Sequence, residues 1–240
     1  MQEVAEGVYG LGSKWINFYV VEDAGALTLV DTGVPGYLGQ VEPGLAKLGK
    51  GPRDVKAIVL THTHSDHIGC APDLARSTGA PVLVPTGEHA IATGGAKPIP
   101  PKGFLSSLWR PTMLAFAGHV VANRGLKPVT VREATAYDGG DVLDVPGKPR
   151  VVHTPGHSSA HCALVLEDRG VLLCGDALAT LAVNTGETGP MVHPFNQDRA
   201  GAVRSLDALE SVDAGVLLPG HGEPWRGNVT DAVAGARRRA

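Results

Sequence analysis

The sequence predicts an α/β fold in which strands alternate with helices along the chain. Short apolar runs rich in β-branched residues, such as residues 55–60, have the length and composition of buried strands. Residues 71–78 and 198–211 instead have helical spacing, and glycine or proline separates most of these segments. Such alternation is typical of helices layered on sheets. The chain has 240 residues, of which 43% are hydrophobic, so we expect one domain over residues 1–240 with a sizeable core.

The first half opens with three consecutive strands and then alternates helix and strand. Residues 22–25 form a turn signal between the second and third strands, which predicts an antiparallel meander. A surface helix is expected over residues 35–49, although Pro43 weakens it. The next helix, near residues 71–78, should end at Gly79. The strands expected in this half cover residues 8–11, 16–21, 26–30, 55–60 and 81–84.

Residues 85–128 interrupt this alternation with prolines, glycines and two apolar segments, residues 104–109 and 113–116. We expect two short helices separated by Pro111. An irregular apolar insertion of this length is often a lid or a wall of a substrate pocket. A packed pair of core helices and a dimer contact are open alternatives. Trp109 and Phe116 are the candidate substrate-contacting side chains.

The second half returns to strands, several of which end in a polar residue. A helix over residues 198–211 should begin at a cap formed by Asp198. Asn228 is expected to cap a last helix. The strands expected here cover residues 129–131, 142–145, 150–153, 162–166, 171–174 and 216–218.

Charge and cysteine content narrow the class of protein. A formal net charge of -3 provides no general electrostatic reason for nucleic-acid binding. The N-terminus lacks the segments of a secretory signal, and no apolar run approaches the roughly 20 residues that span a bilayer. With three cysteines and no CxxC pair, we expect a cytoplasmic protein that binds no membrane, although a chain whose signal has been removed would look the same. Cys70 and Cys174 are expected to be small apolar core residues.

Three histidines and one aspartate follow directly after the apolar run at residues 55–60. They are His62, His64, Asp66 and His67. Neutral imidazole is the commonest protein ligand of zinc, and carboxylates also bind it. The cluster lies where a strand ends and a helix begins, and it predicts a metal site.

Three later strands also lead into residues that can bind metal, namely His157, Asp176 and His221. Strand ends in α/β folds meet at one edge of the sheet, where functional sites are built. Together with the first cluster, these side chains suffice for two metal ions that share a carboxylate. Asp31 ends an earlier strand, and we expect it to support the site by accepting backbone hydrogen bonds rather than to bind metal.

Three further histidines lie close to these motifs in the sequence. His153 and His161 flank His157 and could orient ligands, although a plain structural role is equally consistent with the sequence. His193 lies on the long loop after Asp176, where a substrate contact is expected.

Taken in order, these motifs resemble those of the metallo-β-lactamase-fold hydrolases. They are Thr-His-Thr-His-Ser-Asp-His, Thr-Pro-Gly-His, Gly-Asp and Pro-Gly-His-Gly, and the resemblance covers roughly residues 4–226. It implies a four-layered αββα sandwich with the site at one edge of the two sheets. It also implies two zinc ions per chain, with iron or manganese as alternatives. The implied ligands are His62, His64 and His157 for the first ion, Asp66, His67 and His221 for the second, and Asp176 as the bridge.

The resemblance further implies a hydrolase in which a hydroxide held between the two ions attacks a carbonyl carbon. Asp66 would orient this hydroxide. The apolar insertion suggests that the small-molecule substrate is a partly hydrophobic ester, thioester or lactone. A glyoxalase II-like or lactonase-like member is expected. However, few residues follow His221 to bind glutathione, as a glyoxalase II-like enzyme would. Many lactonases have a tyrosine soon after the bridging aspartate, and no tyrosine follows closely after Asp176 in this chain.

Other functions remain open. The set His62, His64 and His157 would also suit a mononuclear iron persulfide dioxygenase-like enzyme, and a β-lactamase-like enzyme would open a lactam. A non-catalytic protein with a closed metal site is disfavoured because all seven ligand residues are intact. A homodimer is an open expectation.

Overall fold

The computed structural model of the chain describes residues 1–100 and 102–240, so Pro101, in the predicted insertion, lies outside the described residues. Within the described ranges a mixed seven-stranded sheet contains, in spatial order, β1 (Gln2–Ala5), β2 (Val8–Gly12), β3 (Asn17–Asp23), β4 (Ala26–Val30), β5 (Val55–Val59), β6 (Val82–Pro85) and β7 (Thr135–Tyr137). Strands β1 to β4 pair antiparallel, and β4 to β7 pair parallel. The parallel part brings the end of β5, and the motif that follows it, to one edge of the sheet.

The strands that follow are β8 (Arg150–His153), β9 (Cys162–Leu166), β10 (Val171–Gly175), β11 (Ala179–Leu181), β12 (Thr188–Met191), β13 (Val216–Pro219) and β14 (Trp225–Arg226). Strands β11 and β12 pair with each other, whereas the rest form a second sheet in the order β14-β13-β10-β9-β8. Because β10 and β13 are parallel, the residues that follow them emerge at the same end of this sheet.

The α-helices are α1 (Leu38–Ala46), α2 (Ala71–Thr78), α3 (His89–Ala92), α4 (Pro111–Ala122), α5 (Arg199–Glu210) and α6 (Val229–Arg238). Short 3-10 helices lie at Pro35–Tyr37, Pro52–Asp54, Thr86–Glu88, Leu105–Ser107 and Glu167–Arg169. Gly79 ends α2 in the left-handed conformation, and Asn228 caps α6 by accepting a hydrogen bond from the Thr230 N–H, both as expected. Among the described helices, none has both the length and the apolarity needed to cross a membrane.

Three apolar layers hold these elements in a helix–sheet–sheet–helix sandwich. Between the sheets, Val59 packs in one cluster with Leu164. Helices α2 and α4 cover the outer face of the first sheet through Leu74 and Met113, and α5 covers the outer face of the second sheet through Leu206. The central strands are buried on both faces, which explains their continuous apolar runs. The predicted four-layered αββα sandwich is confirmed.

Two predicted strands are wrong. The Val131 N–H donates to the Ala92 carbonyl at 2.8 Å, so residues 129–131 close the insertion against α3 and do not join a sheet. Residues 142–145 contribute an isolated bridge between Val142 and Arg150 in place of a strand. Strand β7 instead takes the place beside β6 in the first sheet.

The expected cap of α5 is also wrong. Asp198 does precede the helix, but within the described chain its side chain accepts no capping hydrogen bond. It lies instead 3.4 Å from the guanidinium group of the exposed Arg204.

Candidate metal centre

A tight loop between β5 and α2 gathers the first four candidate ligands. The N–H groups of His67 and Ile68 both donate to the His64 carbonyl, at 2.9 and 3.0 Å. The turn buries His62 and His67 and leaves His64 and Asp66 partly exposed.

His62, His64 and His157 form one potential site with three nitrogen donors. His64 Nδ1 lies 3.0 Å from His62 Nε2 and 2.8 Å from His157 Nε2. Two nitrogens bound to one tetrahedral zinc ion would lie roughly 3.3 Å apart, so these separations suit a shared ion. Burial lowers the pKa of His62 and the pKa of His157 well below the ordinary histidine value. Both rings are therefore neutral near pH 7, which is the form that binds a metal.

Asp66, His67 and His221 form a second potential site, in which the donor atoms lie within 4.8 Å of one another. His221 Nε2 is 3.6 Å from Asp66 Oδ2. His67 Nε2 is buried and has no hydrogen-bond partner among the described residues. Burial lowers the pKa of His67, but the carboxylates of Asp176 and Asp31 outweigh burial and raise this pKa well above its usual value. The position therefore favours positive charge, which a bound cation would supply.

Asp176 lies between the two sets. Its Oδ2 is 3.2 Å from Nε2 of both His157 and His221, and its Oδ1 is 3.5 Å from His67 Nε2. Both oxygens are buried, and neither has a hydrogen-bond partner in the described part of the chain. Buried polar atoms are nearly always paired, so these oxygens and the unpaired His67 nitrogen are best satisfied by cations. The donor set fits two ions that share Asp176.

Two side chains, Asp31 and His161, make hydrogen bonds that hold candidate ligands in place. Asp31 Oδ1 accepts a hydrogen bond from the Thr61 N–H at 2.8 Å, which is the support that the sequence predicts. Asp31 Oδ2 accepts another from the Thr61 hydroxyl at 2.9 Å and lies 2.8 Å from His67 Nδ1. His161 Nε2 accepts a hydrogen bond from the Asp176 N–H at 3.0 Å. These contacts orient one candidate ligand in each half of the fold.

Two backbone carbonyls orient two further candidate ligands. The Phe195 carbonyl lies 2.8 Å from His157 Nδ1, and the Trp15 carbonyl contacts His221 Nδ1. A carbonyl that accepts from Nδ1–H leaves Nε2 free for a metal. The sequence carries no signal for either contact, because every residue has a carbonyl and only the path of the loop brings these two to the site.

Glu88, which the sequence analysis did not identify, lies in the insertion and holds the loop that carries His62 to His67. Its buried carboxylate accepts a hydrogen bond from the Thr63 hydroxyl. A single acidic residue in a segment rich in glycine and proline carries no local signal for this role. The hydroxyl of Thr63, inside the motif, is the feature that could have pointed to a missing partner.

Of the three predicted substrate contacts, His193 and Phe116 approach the cluster. His193 forms a further group of potential ligands with His157 and Asp176, and its Nε2 is 3.7 Å from Asp176 Oδ2. Phe116 is buried on α4, with its ring centroid 5.8 Å from that of His221.

Trp109 and His153 are not brought to the cluster. Trp109 is 75% exposed before the start of α4, and the Arg110 guanidinium group lies over its ring. His153 is exposed at the end of β8, next to Gly139. Both are close to candidate site residues along the chain, but the strand end and the turn that carry them face solvent.

Comparisons with known proteins agree with this geometry. The sequence profile of the metallo-beta-lactamase superfamily matches residues 16–221. YflN from Bacillus subtilis, a probable metallo-hydrolase, is 30% identical over 247 residues, which cover 94% of this chain and 87% of that protein. An atrochrysone carboxyl ACP thioesterase from Aspergillus fumigatus is 26% identical over 230 residues, which cover 91% of this chain and 42% of that protein.

The fold is also found in solved structures. A metallo-beta-lactamase family protein from Thermus thermophilus superposes with a TM-score of 0.71 and 29% identity, covering 99% of this chain and 80% of that chain. Motifs, architecture and similarity thus agree over nearly the whole length. The chain belongs to the metallo-beta-lactamase superfamily and is a metal-dependent hydrolase of that superfamily.

Proposed function

We propose that this protein is a dinuclear metal hydrolase acting on a small ester, thioester or lactone-type carbonyl. The observation that carries the proposal is the position of Asp176. Its two unpaired, buried oxygens lie between His157 on one side and His67 and His221 on the other. A single ion in the three-histidine site would leave the second donor set, with its unpaired His67 nitrogen, without a cation.

The proposed ligands divide between two ions. His62, His64 and His157 would hold the first, Asp66, His67 and His221 the second, and Asp176 would be shared. Bound cations would lower the pKa of a water molecule at the site and so supply hydroxide near neutral pH. The Asp66 side chain remains 19% exposed, so it faces the open side of the site. From there it can orient the attacking water and carry a proton to the leaving group.

An aromatic wall beside the cluster favours a partly apolar substrate. The Phe116 ring lies against His221, and its centroid is 5.9 Å from that of Trp15. The Trp15 carbonyl also contacts His221, so both residues flank one candidate ligand. An acyl chain next to the reacting carbonyl would bury against these rings. The similarity to a thioesterase supports an acyl substrate of this kind.

Metal analysis followed by a substrate panel tests the proposal. Protein reloaded with zinc should contain two ions per chain by mass spectrometry of the metals. On a panel of esters, thioesters, lactones and lactams, it should hydrolyse an ester, a thioester or a lactone. His64→Ala and Asp176→Ala should lower the metal content and abolish turnover. The exposed His153→Ala is the matched control and should change neither.

Each alternative has its own outcome in the same experiment. One iron per chain together with oxygen consumption would identify a dioxygenase-like enzyme. Turnover of lactams alone would identify a β-lactamase-like enzyme. Full metal loading without turnover of any panel member would indicate a metal-binding protein.

A further inference from the structure

His193 is a buried histidine that lies outside the motifs which supply the seven proposed ligands. It sits on the loop between β12 and α5 and is 3% exposed. Its Nε2 has no hydrogen-bond partner among the described residues and lies 3.7 Å from Asp176 Oδ2. Its ring centroid is 4.7 Å from that of His157 and 4.9 Å from that of His221. His193 therefore faces both donor sets across the shared carboxylate.

His193 and His157 both direct Nδ1 at the carbonyl of Phe195, and their ring planes are nearly perpendicular, at 89°. The Phe195 carbonyl lies 2.9 Å from His193 Nδ1 and 2.8 Å from His157 Nδ1, so one oxygen can accept from both rings. The loop is also fixed, because the Gln197 N–H donates to the His157 carbonyl at 3.1 Å and Asn196 Nδ2 donates to the His193 carbonyl at 2.6 Å. A ring held through Nδ1–H presents the lone pair of Nε2, as histidine ligands of metals do.

A second tautomer of His193 would have a different role. The Phe195 N–H lies 3.2 Å from Nδ1, and if Nδ1 accepted that bond, Nε2 would carry the proton and could donate to a substrate. The carbonyl contact is shorter. The distance of 3.7 Å from Nε2 to Asp176 Oδ2 is also beyond hydrogen-bonding reach, so this proton would stay unpaired in a buried site. The geometry favours the tautomer with a free Nε2 lone pair.

We propose that His193 is an eighth metal-binding side chain of this centre, which binds one of the two ions through Nε2 beside Asp176. The inference rests on the proposed dinuclear function and adds to it. If His193 Nε2 binds the ion, a protein side chain would occupy a coordination position that a catalytic site usually leaves to water. That ion would be held more firmly, and the position open to substrate would lie on the other ion.

Cobalt titration of the full chain tests the inference. The wild-type protein is titrated first, and binding of two Co2+ ions per chain checks the dinuclear proposal separately. We expect His193→Ala to weaken the binding of one ion by at least about tenfold and to change the visible absorption of bound Co2+. His193→Gln, which keeps most of the side-chain volume, should show the same changes. His153→Ala, which alters an exposed histidine, should keep wild-type affinity and spectrum.

The possible outcomes distinguish the inference about His193 from the dinuclear proposal on which it rests. If both His193 variants bind two Co2+ ions with wild-type affinity and spectrum, His193 is not a ligand and the inference is overturned. A raised KM with an unchanged Co2+ spectrum also overturns it and assigns His193 to substrate contact. If the wild type binds fewer than two ions, the dinuclear proposal fails and the inference fails with it.

Discussion

At the scale of single residues, Asp31 links the backbone at one strand end to a candidate ligand. Its carboxylate accepts hydrogen bonds from the N–H and hydroxyl of Thr61 and contacts His67 Nδ1. An amide has one acceptor oxygen and cannot make all three contacts. We expect Asp31→Asn to weaken zinc binding by roughly tenfold to a hundredfold in a metal titration. The exposed Asp213→Asn is the control, and equal affinity in the two variants would contradict this role.

The cysteines should be chemically unreactive in the folded protein. Cys70, Cys162 and Cys174 are buried, and for Cys70 and Cys174 this agrees with the expected role as small apolar core residues. Burial raises the pKa of Cys70 and the pKa of Cys162 to about 12, and it raises the pKa of Cys174 as well. Because only the thiolate reacts, roughly one Cys70 or Cys162 side chain in ten thousand is reactive at pH 8.

We therefore expect almost no reaction of native protein with a chromogenic disulfide reagent at pH 8. The same protein in concentrated guanidinium chloride should react at all three cysteines, since unfolding removes the burial that raises each thiol pKa. The absorbance of the released thiol measures both rates. Fast labelling of the native protein would show that one of these side chains is accessible.

At the scale of elements, the parallel pair β10 and β13 delivers Asp176 and His221 to the site. The Gly220 N–H donates to the Gly175 carbonyl at 2.9 Å, which aligns the two strand ends. A Cβ atom at Gly220 would collide with Asp176 Oδ1 and lie 2.7 Å from His67 Cε1. Glycine is therefore needed here because the backbone of one strand end approaches the proposed bridging carboxylate.

We expect Gly220→Ala to displace Asp176, to reduce zinc affinity at least about tenfold and to lower the free energy of unfolding by about 1–3 kcal/mol. Metal analysis and chemical denaturation measure the two effects. Gly215→Ala is the matched control, because a Cβ atom there would meet nothing within 4 Å. Unchanged zinc affinity in Gly220→Ala would show that Asp176 can move without loss of the site.

Helix α4 has an inward and an outward apolar side. Phe116 is buried beside His221, whereas Leu114 is 56% exposed. We expect Phe116→Ala to cost about 3–5 kcal/mol of stability and to raise KM for substrates with an apolar acyl group, because it opens a cavity in the proposed pocket wall. Leu114→Ala should change neither quantity. Steady-state kinetics and chemical denaturation provide the measurements, and equal KM values for the two variants would argue against a pocket wall.

At the scale of the whole molecule, the candidate ligands come from both sheets. The loop that carries His62 to His67 follows β5 of the first sheet, whereas Asp176 and His221 follow β10 and β13 of the second. Bound ions would therefore join the two halves of the sandwich. Ions that bind only the folded state stabilise it, by about 2.7 kcal/mol at a free concentration 100 times Kd.

We therefore expect excess EDTA to lower the melting temperature and added zinc to restore it. Differential scanning calorimetry measures the shift. Asp176→Ala, which has lost the proposed bridge, should show a smaller effect of EDTA than wild type. Equal shifts in both proteins would mean that the ions do not join the two sheets through this residue.

Most elements follow from local patterns because the strands that build the core are buried on both faces. The runs that became β10 and β13 are continuously apolar for this reason, and in β5 only the exposed Lys56 interrupts the apolar residues. Residues 129–131 and 142–145 are similarly short segments in which Thr130 or Asp144 interrupts the apolar residues, and they pack beside α3 or form an isolated bridge. Val142 is 61% exposed, so a segment of three or four residues that contains apolar side chains establishes neither its burial nor its pairing partner.

For the centre itself, the sequence alone determined the types and order of the proposed ligands, because each follows a strand and strand ends meet at one edge. Only the tertiary structure decided which further side chains join them. It brings His193 to within 3.7 Å of Asp176 Oδ2 and leaves Trp109 at the surface. Both residues lie on loops, and a loop's path depends on packing and on backbone contacts such as those of the Phe195 carbonyl. These contacts leave no pattern in the order of side chains.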